Sequence, residues 1–207
     1  IADVLRGTDI MVISDEIYAE LTYGQRHVSM ANLTDMYERT VVVNGFSKSH
    51  AMTGWRMGYV CAPKELIKIM LKVHQYTIMC APTAGQYAAL EALRSGADTN
   101  YAYVAEMVRV YDRRRHIMLD AYAKMGLHCF EPRGAFYTFP CIRSTGLTSQ
   151  EFAERLLREE RVACVPGTAF GESGEGFVRC SYATATDKIV EAMARMGRFV
   201  ERVRDHA

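Results

Sequence analysis

The chain has 207 residues, of which 49% are hydrophobic and 24% are charged, a composition typical of a globular protein with one large domain or two small ones. Its 25 Lys and Arg residues balance 24 Asp and Glu residues, so charge gives no indication of a nucleic acid or an anionic membrane as partner. No apolar run reaches the roughly 18 residues that a membrane-spanning helix needs, and the first residues do not have the pattern of a signal peptide.

Six cysteines and six histidines are spread along the chain without a metal-binding spacing. Neither C-x-x-C nor H-x-x-x-H occurs, so the sequence predicts no metal site. Several cysteines lie in apolar runs, which indicates reduced, buried thiols and a cytoplasmic protein. The opening stretch, IADVLRGTD, lacks an initial Met and is typical of the tail of a helix, so we expect a fragment or a processed product.

The first half of the chain has the pattern of an α/β layer. Short, β-branched apolar runs predict strands that are buried on both faces, and prolines mark the start of two helices. In chain order, we predict strands at 10–14, 40–44 and 57–62, a helix from Pro63 to about Tyr76, and a helix from Pro82 to about Gly96.

The second half begins with apolar residues at helical spacing over 99–125, which predict one long helix ended by Gly126. Its length indicates a connector between two bodies of the protein. An α+β module follows, with strands at 127–131, 135–141, 161–165 and 176–183 and helices at 148–160 and 186–204. The sequence therefore predicts two parts, residues 1–97 and residues 98–207.

The stretch NGFSKSHAMTGWRMG, residues 44–58, carries the chemistry. A small-residue turn after a buried strand presents Lys48, and Arg56 follows among glycines. A poorly hydrated amine is nucleophilic, and a guanidinium binds phosphate through two parallel hydrogen bonds. Together they suit a cofactor with an aldehyde and a phosphate, although a lysine after a strand, taken alone, is most often a surface residue.

This stretch resembles the lysine-attachment signature of class I and II aminotransferases, which belong to fold type I of the enzymes that depend on pyridoxal 5′-phosphate (PLP). The resemblance extends over the whole chain. It includes SDEIY at 14–18, PRGAFYTF at 132–139, VPGTAFG at 165–171 and GFVRCS at 176–181. It implies an α/β fold in which 1–97 form the C-terminal part of the PLP-binding large domain, with a mixed, mostly parallel sheet. Residues 98–207 would form a connecting helix and a small α+β domain.

The family's site residues have counterparts here. By resemblance, Lys48 holds PLP as an imine and then acts as general base, Asp15 pairs with the protonated pyridine nitrogen, and Tyr18 binds the 3′-oxygen. Arg56 would bind the phosphate, and Arg179 the substrate carboxylate. Without Lys48, Asp15 would be interpreted as a helix N-cap and Tyr18 as a core aromatic. The alternative for Arg179 is a surface strand residue.

Three weaker candidates complete this site. Tyr137 lies in the stretch that resembles the strand near the substrate pocket. Gly45 occupies a position where many relatives have a phosphate-binding serine, so its backbone N–H and the hydroxyl of Ser47 are the candidates for that contact.

The resemblance implies transfer of an amino group from an amino acid to a 2-oxo acid; which amino acid stays open. The alternatives are another reaction on PLP, by a β-lyase, decarboxylase or racemase, or the effector domain of a PLP-sensing transcription regulator. Family members are homodimers about twice this long, and residues 75–86 resemble the segment that meets the partner. We therefore expect the fragment alone to bind PLP weakly and to have little activity.

Overall fold

A mixed sheet of three short strands organises the first part of the chain. In this computed structural model, which describes residues 1–205, β1 (Val12–Asp15) pairs in parallel with β2 (Thr40–Gly45), and β2 pairs antiparallel with β3 (Gly58–Cys61). Because β1 and β2 are parallel, the segments that follow Asp15 and Gly45 leave the sheet at the same edge.

The chain divides into two units, Ile1–Val108 and Arg109–Ala207. The division falls inside the long helix, whereas the sequence predicts it between residues 97 and 98; the assignment of the two domains stays a prediction. The helices of the first unit are α1 (Ala2–Leu5), α2 (Phe46–Ser49), α3 (Lys64–Thr77) and α4 (Thr83–Asp98), and α5 (Ala102–Lys124) contains the division.

A small apolar cluster holds the end of β2 in place. Phe46, Met52 and Met57 are buried against Ala89 of α4, with three further alanines of 81–92 packed around them. Burying side chains of this size contributes about 1.5–3 kcal/mol each. The cluster therefore fixes the turn from β2 into α2 against α4.

In the second unit a small antiparallel sheet has the order β4-β6-β5, formed by Tyr137–Thr138, Val178–Ser181 and Val165–Pro166. Two helices, α6 (Ser149–Glu160) and α7 (Thr186–Arg204), accompany it. Thr148 and Glu151 form a capping box that begins α6. Phe152 of α6 and Phe199 of α7 are fully buried and meet edge to face, with ring centroids 5.2 Å apart.

The helices and the other strands follow the predicted order, several of them shorter, but the strand predicted at 127–131 is wrong. Residues 127–131 provide only an isolated bridge, from Cys129 to Pro140. Of 161–165, only Val165 lies in a strand, because Arg161 ends α6 in the left-handed conformation, with φ 58°, and the chain must then turn toward β5. Strands 135–141 and 176–183 likewise shorten to β4 and β6.

The long helix also begins later than predicted. Asn100 and Tyr101 have positive φ values of 49° and 54°, which interrupts the helical path between α4 and α5. The Tyr101 N–H closes this turn by donating to the carbonyl of Gly96 at 2.7 Å. The gap between the two helices, predicted at 97–98, therefore lies at 99–101.

Candidate active site

Lys48 lies in α2, which begins directly after β2. Gly45 joins the two elements, and a Cβ there would lie 2.8 Å from the Met57 carbonyl oxygen and 3.0 Å from the Cα of Gly58. Glycine is therefore required for β3 to lie this close. The Phe46 N–H donates to the Met57 carbonyl at 3.1 Å, which ties the start of α2 to the residue before β3.

The lysine amine is next to an aromatic ring of the neighbouring turn. Nζ of Lys48 lies 5.7 Å from the centre of the Tyr18 ring, within the range of a cation–π contact. Both side chains are half-buried. The turn after β1 carries Tyr18, with the Ala19 N–H donating to the Glu16 carbonyl and the Leu21 N–H to the Tyr18 carbonyl, each at 2.9 Å.

Asp15 is the last residue of β1 and is exposed. Its Oδ1 accepts a hydrogen bond from the Ile17 N–H at 3.1 Å, which is an Asx turn. No helix begins in the turn that follows, residues 16–21, so the helix N-cap alternative does not apply. The carboxylate stands at the same edge of the sheet as the turn that carries Lys48.

Arg56 lies between α2 and β3, in the left-handed conformation with φ 54°. Its side chain is exposed, and one guanidinium nitrogen donates to the Thr53 carbonyl at 2.9 Å. Ser47 is half-buried in the first turn of α2. The Gly45 N–H donates to the side-chain oxygen of Asn44 at 2.7 Å, so this donor is already engaged within the chain.

Glu16 was not identified by sequence reasoning, although it is part of the SDEIY string. Its side chain is only 5% exposed, and it accepts hydrogen bonds from Ser14, from Ser29 and from the Met30 N–H at 3.1, 2.7 and 3.3 Å. Nε2 of His27 lies 3.0 Å from Oε2, the other carboxylate oxygen of Glu16. Burial alone would raise the pKa of Glu16, but the hydrogen bonds from Ser29, His27 and Ser14 outweigh it and hold the pKa below its ordinary value.

His50 was also missed. Its ring lies 5.1 Å from that of Phe46 and 5.7 Å from that of Tyr103, and Nδ1 shares a hydrogen bond with the Ser49 hydroxyl at 2.7 Å. Burial lowers the pKa of His50, a shift that the charge of Glu20 partly opposes. A neutral imidazole packed in this way helps to hold the α2 turn.

The second unit holds the remaining candidates, Arg179 on β6 and Tyr137 on β4. The guanidinium carbon of Arg179 lies 4.5 Å from the centre of the Tyr137 ring and 4.6 Å from that of Phe170. The structure thus brings Arg179 and Tyr137 together. Phe170 belongs to the VPGTAFG stretch, but its contact with Arg179 was not foreseen, because it depends on where the turn after β5 folds back.

Within residues 1–205 no group of three or more His, Cys, Asp and Glu side chains is arranged to hold a metal ion. The same part of the chain contains no helix long and apolar enough to cross a bilayer.

The carboxylate, phenol and lysine that lie at one edge of the sheet, with a guanidinium between α2 and β3, are groups expected of a PLP enzyme of fold type I. The sequence matches the family "Aminotransferase class I and II" over residues 1–196, and the chain belongs to that family. Enzymes of this family depend on PLP.

The similar proteins and structures are named as aminotransferases. The chain is 51% identical over 197 residues to an aspartate aminotransferase of Pyrococcus abyssi, which covers 95% of this chain and 50% of that protein. It is 46% identical over 202 residues to aromatic-amino-acid aminotransferase 2 of Thermococcus litoralis, covering 97% and 51%. The crystal structure of an aromatic aminotransferase from Pyrococcus horikoshii superposes with a TM-score of 0.92 at 50% identity, covering 97% of this chain and 53% of that one.

These comparisons confirm the resemblance and the α/β fold with a mixed sheet. The chain spans about half the length of the curated relatives that it matches.

Proposed function

We propose that the protein containing this chain is a PLP-dependent aminotransferase that moves an amino group from an amino acid to a 2-oxo acid, with Lys48 as the residue that holds the cofactor. The observation that carries the proposal is the position of the Lys48 amine, half-buried and 5.7 Å from the centre of the Tyr18 ring. It lies on the turn that leaves the sheet at the same edge as Asp15.

The side chains of the first unit match PLP group by group. Lys48 offers an amine for the aldehyde, Asp15 a carboxylate for the pyridine nitrogen and Tyr18 a phenol for the 3′-oxygen. Arg56 and Ser47 offer a guanidinium and a hydroxyl for the phosphate. Gly45 contributes shape rather than a donor, because its N–H is bound to Asn44 and its missing Cβ lets β3 approach. When bound, PLP would supply an electron sink for the substrate α-carbon.

Each residue then has a defined role. The exposed Asp15 carboxylate would hold the pyridine nitrogen protonated, and the Lys48 amine would serve as the general base that takes the proton from the substrate α-carbon. Arg179 binds the substrate carboxylate through two parallel hydrogen bonds, and Tyr137 limits the motion of its guanidinium.

Several finer assignments belong to the same proposal. The relatives are named for aspartate and aromatic substrates, which supports an amino acid and a 2-oxo acid as substrates and a role in amino acid metabolism. We assign the protein to the cytoplasm, since its six cysteines are free thiols. We also assign a homodimer that uses residues 75–86, where Tyr76 and Met79 are 94% and 78% exposed.

The test is a covalent-trapping experiment on the full-length protein. Reduction with borohydride in the presence of PLP should leave a pyridoxyl group on Lys48, identified by peptide mass spectrometry, and Lys48→Ala should lose it. Lys64→Ala, at the exposed start of α3, is the matched control and should keep it. Labelling at other lysines alone would refute the proposal.

A second assay separates the reaction types. Incubation with an amino acid and 2-oxoglutarate should yield glutamate as a new amino acid. A racemase or a decarboxylase would not form this product. The comparisons give no support to the β-lyase, decarboxylase or regulator alternatives.

A further inference from the structure

The buried carboxylate next to Asp15 is the part of the first unit that the proposed reaction does not use. Two acidic residues stand side by side at the end of β1, and their surroundings are opposite. Asp15 is exposed, whereas Glu16 is 6% exposed. A charged carboxylate is placed away from water only where hydrogen bonds and a cationic or donor partner compensate for lost hydration.

The compensation around Glu16 comes from two separate parts of the chain. Ser14, inside β1, donates its hydroxyl to Oε1. Ser29 and the Met30 N–H donate to the same oxygen from the segment that precedes β2, while His27 contacts Oε2 at 3.0 Å. One carboxylate thus joins the end of β1 to residues 27–30.

The backbone of Glu16 is fixed as firmly as its side chain. Its N–H donates to the Val43 carbonyl of β2 at 2.8 Å, and its carbonyl accepts from the Ala19 N–H. Residues on either side are therefore restricted: Asp15 closes an Asx turn with the Ile17 N–H, and Tyr18 follows in the same turn. A displacement of Glu16 would move both candidate cofactor ligands together.

We propose that Glu16, held by Ser29 and His27, is the positioning residue that sets Asp15 and Tyr18 in place for the cofactor. This inference rests on the proposed function. The role of Glu16 is indirect: its carboxylate is occupied by the segment 27–30, so it orients the turn and leaves contact with PLP to its neighbours.

The test compares variants of the full-length protein by their dissociation constant for PLP and by the visible circular dichroism of the bound cofactor, which reports the ring's asymmetric surroundings. Glu16→Gln removes the charge of the buried carboxylate, and Ser29→Ala removes one of its hydrogen-bond donors; these two are the anchor variants. Because each variant weakens the hydrogen bonds that hold a charged carboxylate, we expect PLP binding to weaken by roughly tenfold or more. The circular dichroism band should shrink at saturating PLP, a change that lower overall stability would not produce.

Glu20→Gln is the matched control, since it removes the same charge from an exposed residue of the same turn region; it should leave both quantities unchanged. Should Glu16→Gln fail to fold, Ser29→Ala, which removes a single hydroxyl, decides the question. Wild-type affinity and circular dichroism in the anchor variants would overturn the positioning role while leaving the proposed function intact. A wild-type protein that forms no Lys48 adduct with PLP would instead overturn the proposed function.

Discussion

The guanidinium of Arg179 is packed against the face of the Tyr137 ring, 4.5 Å from its centre, with Phe170 at 4.6 Å. The two strands that carry Arg179 and Tyr137 are antiparallel neighbours, so this packing is built into the sheet of the second unit. A guanidinium restricted in this way loses little further conformational freedom on binding a carboxylate. If Arg179 binds the substrate carboxylate as proposed, this packing prepares that site in advance.

Replacing Arg179 by lysine should therefore impair substrate binding in the full-length enzyme. A lysine ammonium cannot form the two parallel hydrogen bonds of a guanidinium and packs less well against the Tyr137 ring. We expect KM for the amino acid to rise by about tenfold to a hundredfold, because one hydrogen bond between charged groups is lost. The change in kcat should be smaller. Steady-state kinetics measure this. The control is Arg158→Lys, on the exposed side of α6, which should leave KM unaltered. An unaltered KM in the Arg179 variant would show that Arg179 does not bind the substrate carboxylate.

Asp15→Asn should preserve the fold and reduce the chemical step. Asparagine can still accept from the Ile17 N–H, but it carries no charge to keep a pyridine nitrogen protonated. We expect kcat to fall by roughly a hundredfold or more, as for the loss of other preorganised charged groups. The half-reaction with an amino acid, followed by the change in cofactor absorbance, isolates this step. The exposed Asp35→Asn serves as the reference, and equal rates in both variants would contradict the role of Asp15.

The sequence could suggest this candidate site because the residues concerned are concentrated in short strings. Asp15 ends β1, and Tyr18 and Lys48 lie in the turns that follow β1 and β2, so parallel pairing of the two strands is enough to bring these residues to one edge. The contacts of Glu16 could not be foreseen in the same way, because its partners Ser29 and His27 come from an irregular segment with no periodic signal. The gap between α4 and α5 was predicted, but its position was not, because the backbone conformation of Asn100 and Tyr101 depends on local packing and neither residue is a glycine.

The Glu16 carboxylate should also make stability depend on pH. Its pKa in the folded protein lies below the ordinary value of 4.5, so the unfolded chain binds the proton more tightly. The stabilisation is therefore complete above that ordinary value and is lost as the pH falls through the lowered folded pKa. Comparing urea unfolding of the wild type and Glu16→Gln at about pH 7 and about pH 3 measures this. The advantage of the wild type should shrink at the acidic pH; an advantage that grows on acidification would contradict the sign of the shift.

Two glycines of the second unit should respond in opposite ways to alanine. At Gly167, just after β5, a Cβ would collide with the carbonyl oxygen of Gly174 and lie 2.8 Å from that of Phe177, both rigid backbone atoms. The same residue donates its N–H to the Phe177 carbonyl at 2.8 Å, so it cannot move away without losing a hydrogen bond. Gly167→Ala should therefore destabilise the protein by about 1–3 kcal/mol or more, as overpacking does.

Gly197 lies within α7, where the nearest atom to an added Cβ is the Met125 methyl carbon at 3.9 Å, an ordinary van der Waals distance. Alanine is favoured over glycine inside a helix by about 1 kcal/mol, because it restricts the unfolded chain and keeps helical geometry. Gly197→Ala should raise the melting temperature, and Gly167→Ala should lower it. Both changes add one methyl group to the same unit. A higher melting temperature in both variants would show that the close approach of Gly167 to Gly174 does not limit packing, whereas a lower one in both would contradict the prediction for Gly197.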